Sequence, residues 1–358
     1  MPELVVIAEQ LLAPVPGGTA RYTAELLRAL PATAPAGWTV SSVVARHADV
    51  EAARTEGVDG PRVLPLPPRA LVGAWQLGLP WWPGGDAVHA PTPLAPVKAP
   101  RGRTLSVTVH DTVPWTHPET LTPRGVSWHR AMVARAAKQA NALVVPTKAV
   151  ADDLATRVPV TVPVHVIGHG RTAFPEAADL DLPERYVLAI GTIEPRKGID
   201  VLIDAMSRFD GPPLLFAGQP GWGGLDPLEM ARERGLPEGR VRVLGRLSDA
   251  ELAGALRRAT VLAVPSLAEG FGLPLLEAMA AGVPVVHSDV PALAEVAGGA
   301  GVTVPRGDAA ALATALRDLL GSPGQSAELV KLGLARAEGF SWRAAAEAIW
   351  KLHFHTVR

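Results

Sequence analysis

No cysteine occurs anywhere in the 358-residue chain. That excludes disulfides, thiolate metal sites and a cysteine nucleophile, and it suits a reducing compartment. No run approaches the roughly 18 apolar residues of a membrane-spanning helix. The opening MPELVVIAEQ carries no basic segment, and its apolar core LVVIA is too short for a signal peptide. A charge imbalance is lacking too. With 34 basic and 35 acidic side chains the formal net charge is −1, so no global field draws the chain to nucleic acid or anionic lipid. Any charged partner is recognised locally. These absences predict a cytoplasmic protein with no nucleic-acid partner.

What is present is a regular alternation. Short apolar, β-branched runs at 4–8, 38–45, 86–90, 104–109, 142–146 and 164–168 predict six strands in the first half. Those at 186–191, 213–218, 241–245, 260–265, 283–288 and 301–305 predict six more. Most are continuous rather than alternating, as expected of parallel strands covered on both faces. Helical patterns lie between them. Ile199, Leu202, Ile203 and Met206 mark one helix face, and Ser248-Asp-Ala-Glu251 is a capping box. Strand–helix alternation twice over predicts two doubly wound, Rossmann-like α/β domains. The polar, proline-bearing stretch 169–185 has no periodicity. It separates a domain over 1–170 from one over 186–340, with 171–185 as linker and helical segments reaching 341–358.

In open α/β sheets ligands bind beyond the carboxyl ends of the strands, which singles out three loops. In GTIEPRKG (191–198), Arg196 and Lys197 sit just before a helix amino terminus, a place that already favours an anion. Two cations there suit a diphosphate, although a solvated loop would look the same. The loop is not a GxGxxG fingerprint and no Walker A sequence occurs, which disfavours a nicotinamide enzyme or a P-loop ATPase. In EGFGLPLLEAMAAG (269–282), Glu277 lies within the first turn or so of a helix otherwise built for burial. The helix dipole accounts for a carboxylate there, but not for its apolar surroundings. A buried carboxylate needs donors, and a ribose hydroxyl pair would supply them. Glu269 precedes it in a glycine loop, where Gly270 and Gly272 permit close approach of the backbone to phosphate.

The ordered set GTIEPRKGIDVLIDA, VLGRLSDAEL and PSLAEGFGLPLLEAMAAGVPVV, with Glu269 and Glu277 as an E-x7-E pair, resembles the retaining glycosyltransferases of family 4 (glycosyl transferases group 1), in a mannosyltransferase-like branch. The resemblance implies the GT-B fold, two Rossmann-like domains facing each other across a cleft, with the terminal segment 341–358 crossing back onto the first. It implies that Glu277 binds the nucleotide ribose and that Glu269 faces the donor sugar. It further implies that Arg196 and Lys197 neutralise the diphosphate, and that Gly270, Phe271, Gly272 and Leu273 line the donor site. Many family members carry arginine where this chain has Thr192. That leaves one fewer cation and gives Arg196 more weight.

The third loop is APVPGGTARYTAELL, where Gly17 and Gly18 open a helix. A Gly-Gly turn is a common structural device, and the resemblance places it against the donor. In VTVHDTVPWTHPE, His110 and Asp111 stand at a strand end. The acid is expected to fix the ring tautomer, and the resemblance makes His110 a cleft histidine near sugar and acceptor. Trp75, Trp81 and Trp82, with Pro80 and Pro83 beside them, predict either core packing or an exposed apolar patch for a sugar or lipid.

The resemblance implies hexose transfer, mannose favoured, from a nucleoside diphosphate sugar such as GDP-mannose to a hydroxyl of a glycan or lipid-linked glycan. No metal or other cofactor is expected, because Asp179-Leu-Asp181 falls in the linker and reads as solvated. Peripheral contact with the inner face of the cell membrane fits such an acceptor. Two rivals stand beside this reading: a GT-B sugar-nucleotide epimerase, and a catalytically silent protein that binds nucleotide sugars.

Overall fold

The computed structural model describes residues 1–15, 17–221 and 223–354. Residues 355–358 of the expected terminal segment lie outside the described residues. The chain divides into two compact units, one of Met1–Gly170 with the segment from Ser341 onward, the other of Arg171–Phe340.

Unit 1 holds a seven-stranded sheet of β1 (Glu3–Ile7), β2 (Thr39–Val44), β3 (Asp59–Val63), β4 (Ala87–Ala90), β5 (Thr104–Thr108), β6 (Ala142–Val145) and β7 (Val164–Val166). All pairings are parallel, in the order β3-β2-β1-β4-β5-β6-β7. Every residue of β4, β5 and β6 is buried, which explains their unbroken apolar sequence. Strand β3 was not expected. Its sequence DGPRV is polar and half exposed because it closes the sheet edge, where a proline is tolerated.

Unit 2 holds a six-stranded parallel sheet of β8 (Val187–Ile190), β9 (Leu214–Ala217), β10 (Val241–Gly245), β11 (Val261–Val264), β12 (Val285–Ser288) and β13 (Val302–Val304). Its order is β10-β9-β8-β11-β12-β13. The strand order therefore reverses between β8 and β11 here, and between β1 and β4 in unit 1. These reversals open crevices at the carboxyl ends of the strands.

Local signals act as their chemistry requires. Ser248 and Glu251 form the full capping box, and the Asp308 side chain accepts from the Ala311 backbone at 2.9 Å. The helix Trp342–Phe354 belongs to unit 1, where Trp350 donates its indole N–H to the Leu30 carbonyl at 3.1 Å. The stretch 171–185, expected as a linker, packs onto unit 2. Ala178 donates its backbone N–H to Ala250 at 2.9 Å, and Arg258 donates to the carbonyls of Leu180 and Leu182 at 2.7 and 3.1 Å. Asp179 projects fully into solvent.

The tryptophan run resolves in favour of packing. Trp75 is wholly buried and donates to the Trp81 carbonyl at 3.0 Å, while Trp82 donates to Gly85 at 3.0 Å. Trp81 and Trp82 are half-buried against the unit 1 core. Solvent instead meets Leu77 and Leu79. Since this run feeds β4 from its amino-terminal side, it lies at the opposite end of the parallel strands from His110, which follows β5. Of the two alternatives for this run, the structure thus takes core packing.

Candidate functional site

Unit 2 gathers its charged candidates at the reversal point. Arg196 and Lys197 follow β8 in a single 3-10 turn, Pro195–Lys197, and Glu269 follows the adjacent β11. The two loops are stitched together by Leu267, whose backbone N–H donates to the Arg196 carbonyl at 2.8 Å. Gly198 makes this approach feasible: its φ is +64°, and a Cβ there would run into the Pro265 carbonyl oxygen. Only glycine meets both demands without strain.

Lys197 Nζ donates to Glu269 Oε1 at 2.5 Å, and Ser266 Oγ donates to the same oxygen at 2.9 Å. Arg196 stands 3.5 Å from Glu269 Oε2, donates to Glu194 at 2.6 Å, and donates to the Ala268 carbonyl at 2.9 Å. Burial pushes the Glu269 carboxyl up, but Lys197, Arg196 and the Ser266 hydroxyl together outweigh it and hold the group below its ordinary value. Glu269 is therefore an anion that organises both cations, two positive charges matched by two carboxylates.

Glu277 is 3% exposed, on the second turn of the helix Leu273–Ala280 rather than the first. Thr172 donates its hydroxyl to Glu277 Oε1 at 2.7 Å. This protein donor answers part of the burial question that the sequence raised, and it comes from a segment with no periodicity to mark it. Gly272 caps the helix at φ +92°, where a Cβ would strike Leu293. Phe271 and Leu273 turn into the core, Phe271 edge-on to Phe340 with centroids 5.8 Å apart. Their side chains thus hold the loop from the core side.

Unit 1 contributes neutral groups. Gly17 is the N-cap of the helix Gly18–Ala29, and nothing lies within 4 Å of a Cβ built there. His110 follows β5, and its Nε2 lies 2.7 Å from the Pro91 carbonyl oxygen. A carbonyl only accepts, so Nε2 carries the hydrogen and Nδ1 is the acceptor. Pro91, not Asp111, fixes the tautomer. Asp111 Oδ1 is occupied by the Val113 backbone N–H at 3.0 Å. Burial lowers the His110 pKa against the opposing pull of the Pro91 bond and the Asp111 charge, so the ring is neutral.

Behind His110 lies a polar seam that sequence reasoning missed. The Tyr22 ring meets His110 edge-on, with centroids 4.8 Å apart, and packs on His169 at 4.8 Å. The Tyr22 hydroxyl reaches Thr108 at 3.2 Å and His89 at 3.4 Å. His89 continues to Ser106 at 2.8 Å, and Ser106 to His353 at 2.8 Å. Tyr22 reads as an ordinary apolar position of its helix, and His353 lies 247 residues from Ser106; only folding joins them.

Comparison with known proteins follows the same division. Residues 184–322 match the model of glycosyl transferases group 1, and residues 16–171 match that of glycosyltransferase family 4. The chain is 41% identical to the O-antigen chain mannosyltransferase B of Escherichia coli over 162 residues, 44% of this chain and 42% of that protein. It is 35% identical to the phosphatidyl-myo-inositol mannosyltransferase of Mycobacterium leprae over 234 residues, 63% of this chain and 60% of the other. The matches thus span about half the length of these curated relatives. Among solved structures, sucrose-phosphate synthase from Thermosynechococcus elongatus superposes with a TM-score of 0.75 at 25% identity, covering 98% of each chain. The two parallel α/β units match the GT-B fold, and the chain belongs to the family 4 glycosyltransferases of glycosyl transferases group 1.

Proposed function

We propose that this protein is a retaining glycosyltransferase that moves a hexose, mannose first among the candidates, from a nucleoside diphosphate sugar to a hydroxyl of a glycan or lipid-linked glycan. The observation that carries the reading is the pairing of Arg196 and Lys197 with Glu269 at the β8–β11 reversal, beside the buried Glu277. A diphosphate needs fixed cations, and a ribose needs a carboxylate that accepts from both hydroxyls; unit 2 carries the cations in the turn after β8 and the carboxylate on the helix after β11. GDP-mannose is the favoured donor, supported by the two mannosyltransferase relatives.

In the proposed reaction the bond between the anomeric carbon and the phosphate oxygen breaks, and a bond to the acceptor oxygen forms on the same face. The acceptor proton passes to the departing phosphate oxygen. Arg196 and Lys197 stabilise the charge that develops on the diphosphate, work that needs no metal in this scheme. Glu269 orients Lys197 and meets the sugar hydroxyls. Neutral His110, fixed as the Nε2–H tautomer, offers Nδ1 as an acceptor to sugar or acceptor hydroxyls. A lipid-linked acceptor would bring the protein to the inner face of the cell membrane.

A thermal-shift screen against GDP-, UDP-, dTDP- and ADP-sugars tests the donor half, since a ligand that binds the native state raises apparent stability. The largest shift is expected with GDP-mannose. Glu277→Ala should abolish that shift, and an undiminished shift in this variant would sink the ribose assignment.

A further inference from the structure

The loop that carries Glu269 rests on two side chains from outside the candidate site. Phe271 packs edge-on against Phe340, and Gly272 lies so close to Leu293 that no Cβ fits between them. Leu293 belongs to the helix Pro291–Ala297. Phe340 is the last residue of unit 2, just past the helix Pro323–Glu338. The two supports come from different elements, and one side chain joins them.

That side chain is Arg336. Its Nε donates to the Val296 carbonyl at 2.9 Å, and its Nη2 donates to the Glu295 carbonyl at 2.7 Å. Both carbonyls lie in the last turn of Pro291–Ala297. A helix has no N–H of its own to offer there and its dipole is negative, so a planar, forked cation is the fitting partner. Gly298 ends this helix at φ +56°, and a Cβ on it would stand 2.7 Å from Arg336 Nε. The same guanidinium lies over the Phe340 ring, 5.0 Å from its centroid. One turn earlier, Gly333 lies against Met279 of the helix that carries Glu277; a Cβ there would stand 3.2 Å from the Met279 side chain. The helix Pro323–Glu338 is therefore seated on the Glu277 helix, while Arg336 reaches across to both supports of the Glu269 loop.

Unit 2 contains a second arginine of this kind, placed elsewhere. Arg240 lies over the Phe209 ring at 5.4 Å and donates to the carbonyls of Phe209 and Met206 at 2.9 and 3.4 Å. It closes the carboxyl end of the helix Ile199–Met206, the end away from the Arg196–Lys197 turn. Shared chemistry in two places separates what such an arginine does for a fold from what it does for a site. We propose that Arg336 is a positioning residue for the sugar-nucleotide loop. By clamping Pro291–Ala297 to Phe340 it fixes Gly272 and Phe271, and through them the loop backbone that carries Glu269, so that a nucleoside diphosphate sugar meets a loop already ordered and binding need not order it. This rests on the glycosyltransferase reading above and adds a residue that acts through others.

The test uses the full chain and isothermal titration with GDP-mannose, or with whichever of the UDP-, dTDP- and ADP-sugars gives the largest thermal shift. Titrations are run well below the unfolding transition of every variant. Loss of folded protein then lowers the titratable fraction, whereas a misplaced loop raises Kd. Arg336→Leu should raise Kd about tenfold with the titratable fraction unchanged. Arg336→Lys keeps a cation over Phe340 but cannot hold both carbonyls, and should raise Kd about threefold. Arg240→Leu should lower thermal stability to a similar extent and leave Kd within about twofold. In the ligand-free protein, amide hydrogen exchange over residues 268–273 should quicken at least about fivefold in Arg336→Leu and not in Arg240→Leu. If Arg336→Leu does not fold, Arg336→Lys and Phe340→Leu carry the same two measurements. A Kd within about twofold of the unmodified value in the folded Arg336 variants, or an equal rise in Arg240→Leu, overturns the proposal. Absence of any nucleotide-sugar binding by the unmodified protein sinks the glycosyltransferase reading instead. The exchange comparison still judges the clamp in that case, and unaltered exchange over 268–273 overturns it.

Discussion

The candidate residues of unit 2 and those of unit 1 lie in loops at the carboxyl ends of parallel strands, the first at the β8–β11 reversal and the second after β1 and β5, yet they are built from opposite electrostatics. In unit 2, Arg196, Lys197, Glu194 and Glu269 are charged, mostly buried and paired, with side-chain exposures of 11–17%. In unit 1, His110, His89, His169 and His353 are all pushed toward the neutral form, chiefly by burial. One architecture thus carries charged, paired groups in unit 2 and neutral rings in unit 1. A charged cluster with fixed partners suits a leaving diphosphate, whereas a neutral ring such as His110, its tautomer set by the Pro91 carbonyl, suits hydroxyl groups that must be oriented but not titrated.

Acidification should break this contrast most strongly. The unfolded chain protonates its histidines near pH 6.5, while burial holds the folded His353 down to about 3. The unfolded state therefore gains protons first, and stability falls as pH drops below 6.5 and on toward 3. At about 1.4 kcal/mol per pKa unit, His353 alone would account for a loss on the order of 5 kcal/mol once pH has fallen to about 3. The Glu269 contribution is present above its ordinary value of 4.5 and disappears as pH falls through its depressed folded value, so it enters only later. Urea-denaturation midpoints across this range, compared with those of His353→Gln, check the point. The variant should have a flatter acid limb, and superposable limbs would show that His353 does not carry the acid sensitivity.

A smaller effect sharpens the other side. Arg196→Ala should lower turnover about 100- to 1,000-fold, the usual cost of removing one preorganised charge or donor, and it should leave Glu194 and Glu269 with Lys197 alone. Turnover within about tenfold of the unmodified enzyme would mean that the diphosphate is held elsewhere. The smallest expected change in stability is that of Gly17→Ala. Its backbone is extended at φ −122°, and a Cβ meets no atom within 4 Å, so thermal stability should stay within about 0.5 kcal/mol, as for an uncritical surface change. If Gly17 approaches the donor, the donor-induced thermal shift should nevertheless fall; an unaltered shift would return the Gly-Gly turn to a purely structural role.

Much of this was legible beforehand, for identifiable reasons. All twelve expected strands occur, because each carries a short apolar, β-branched run, fully buried where the strand is covered on both faces. Strand β3 escaped because its edge sequence DGPRV holds no such run. Arg196, Lys197, Glu269 and Glu277 were found because their chemistry sits in compact local motifs at strand ends. Thr172 was not, since a single threonine in an aperiodic stretch differs in nothing from its neighbours until folding brings it 2.7 Å from Glu277. The expected pairing of His110 with Asp111 shows the same limit in reverse. Sequence proximity suggested a bond between the two, whereas the fold supplies other partners, the Pro91 carbonyl for His110 and the Val113 backbone N–H for Asp111.

By itself, then, the amino-acid order determined which segments are strands and helices, that they form two parallel sheets, and which loops carry charge and glycine. Those properties depend on periodicity and on residues within a turn of one another. The tertiary structure alone decided who partners whom: Glu269 with Lys197, Glu277 with Thr172, Pro91 with His110, and the seam from Tyr22 to His353. A hydrogen bond needs its atoms within about 3 Å, and for residues tens to hundreds of positions apart nothing but the packed fold sets that distance.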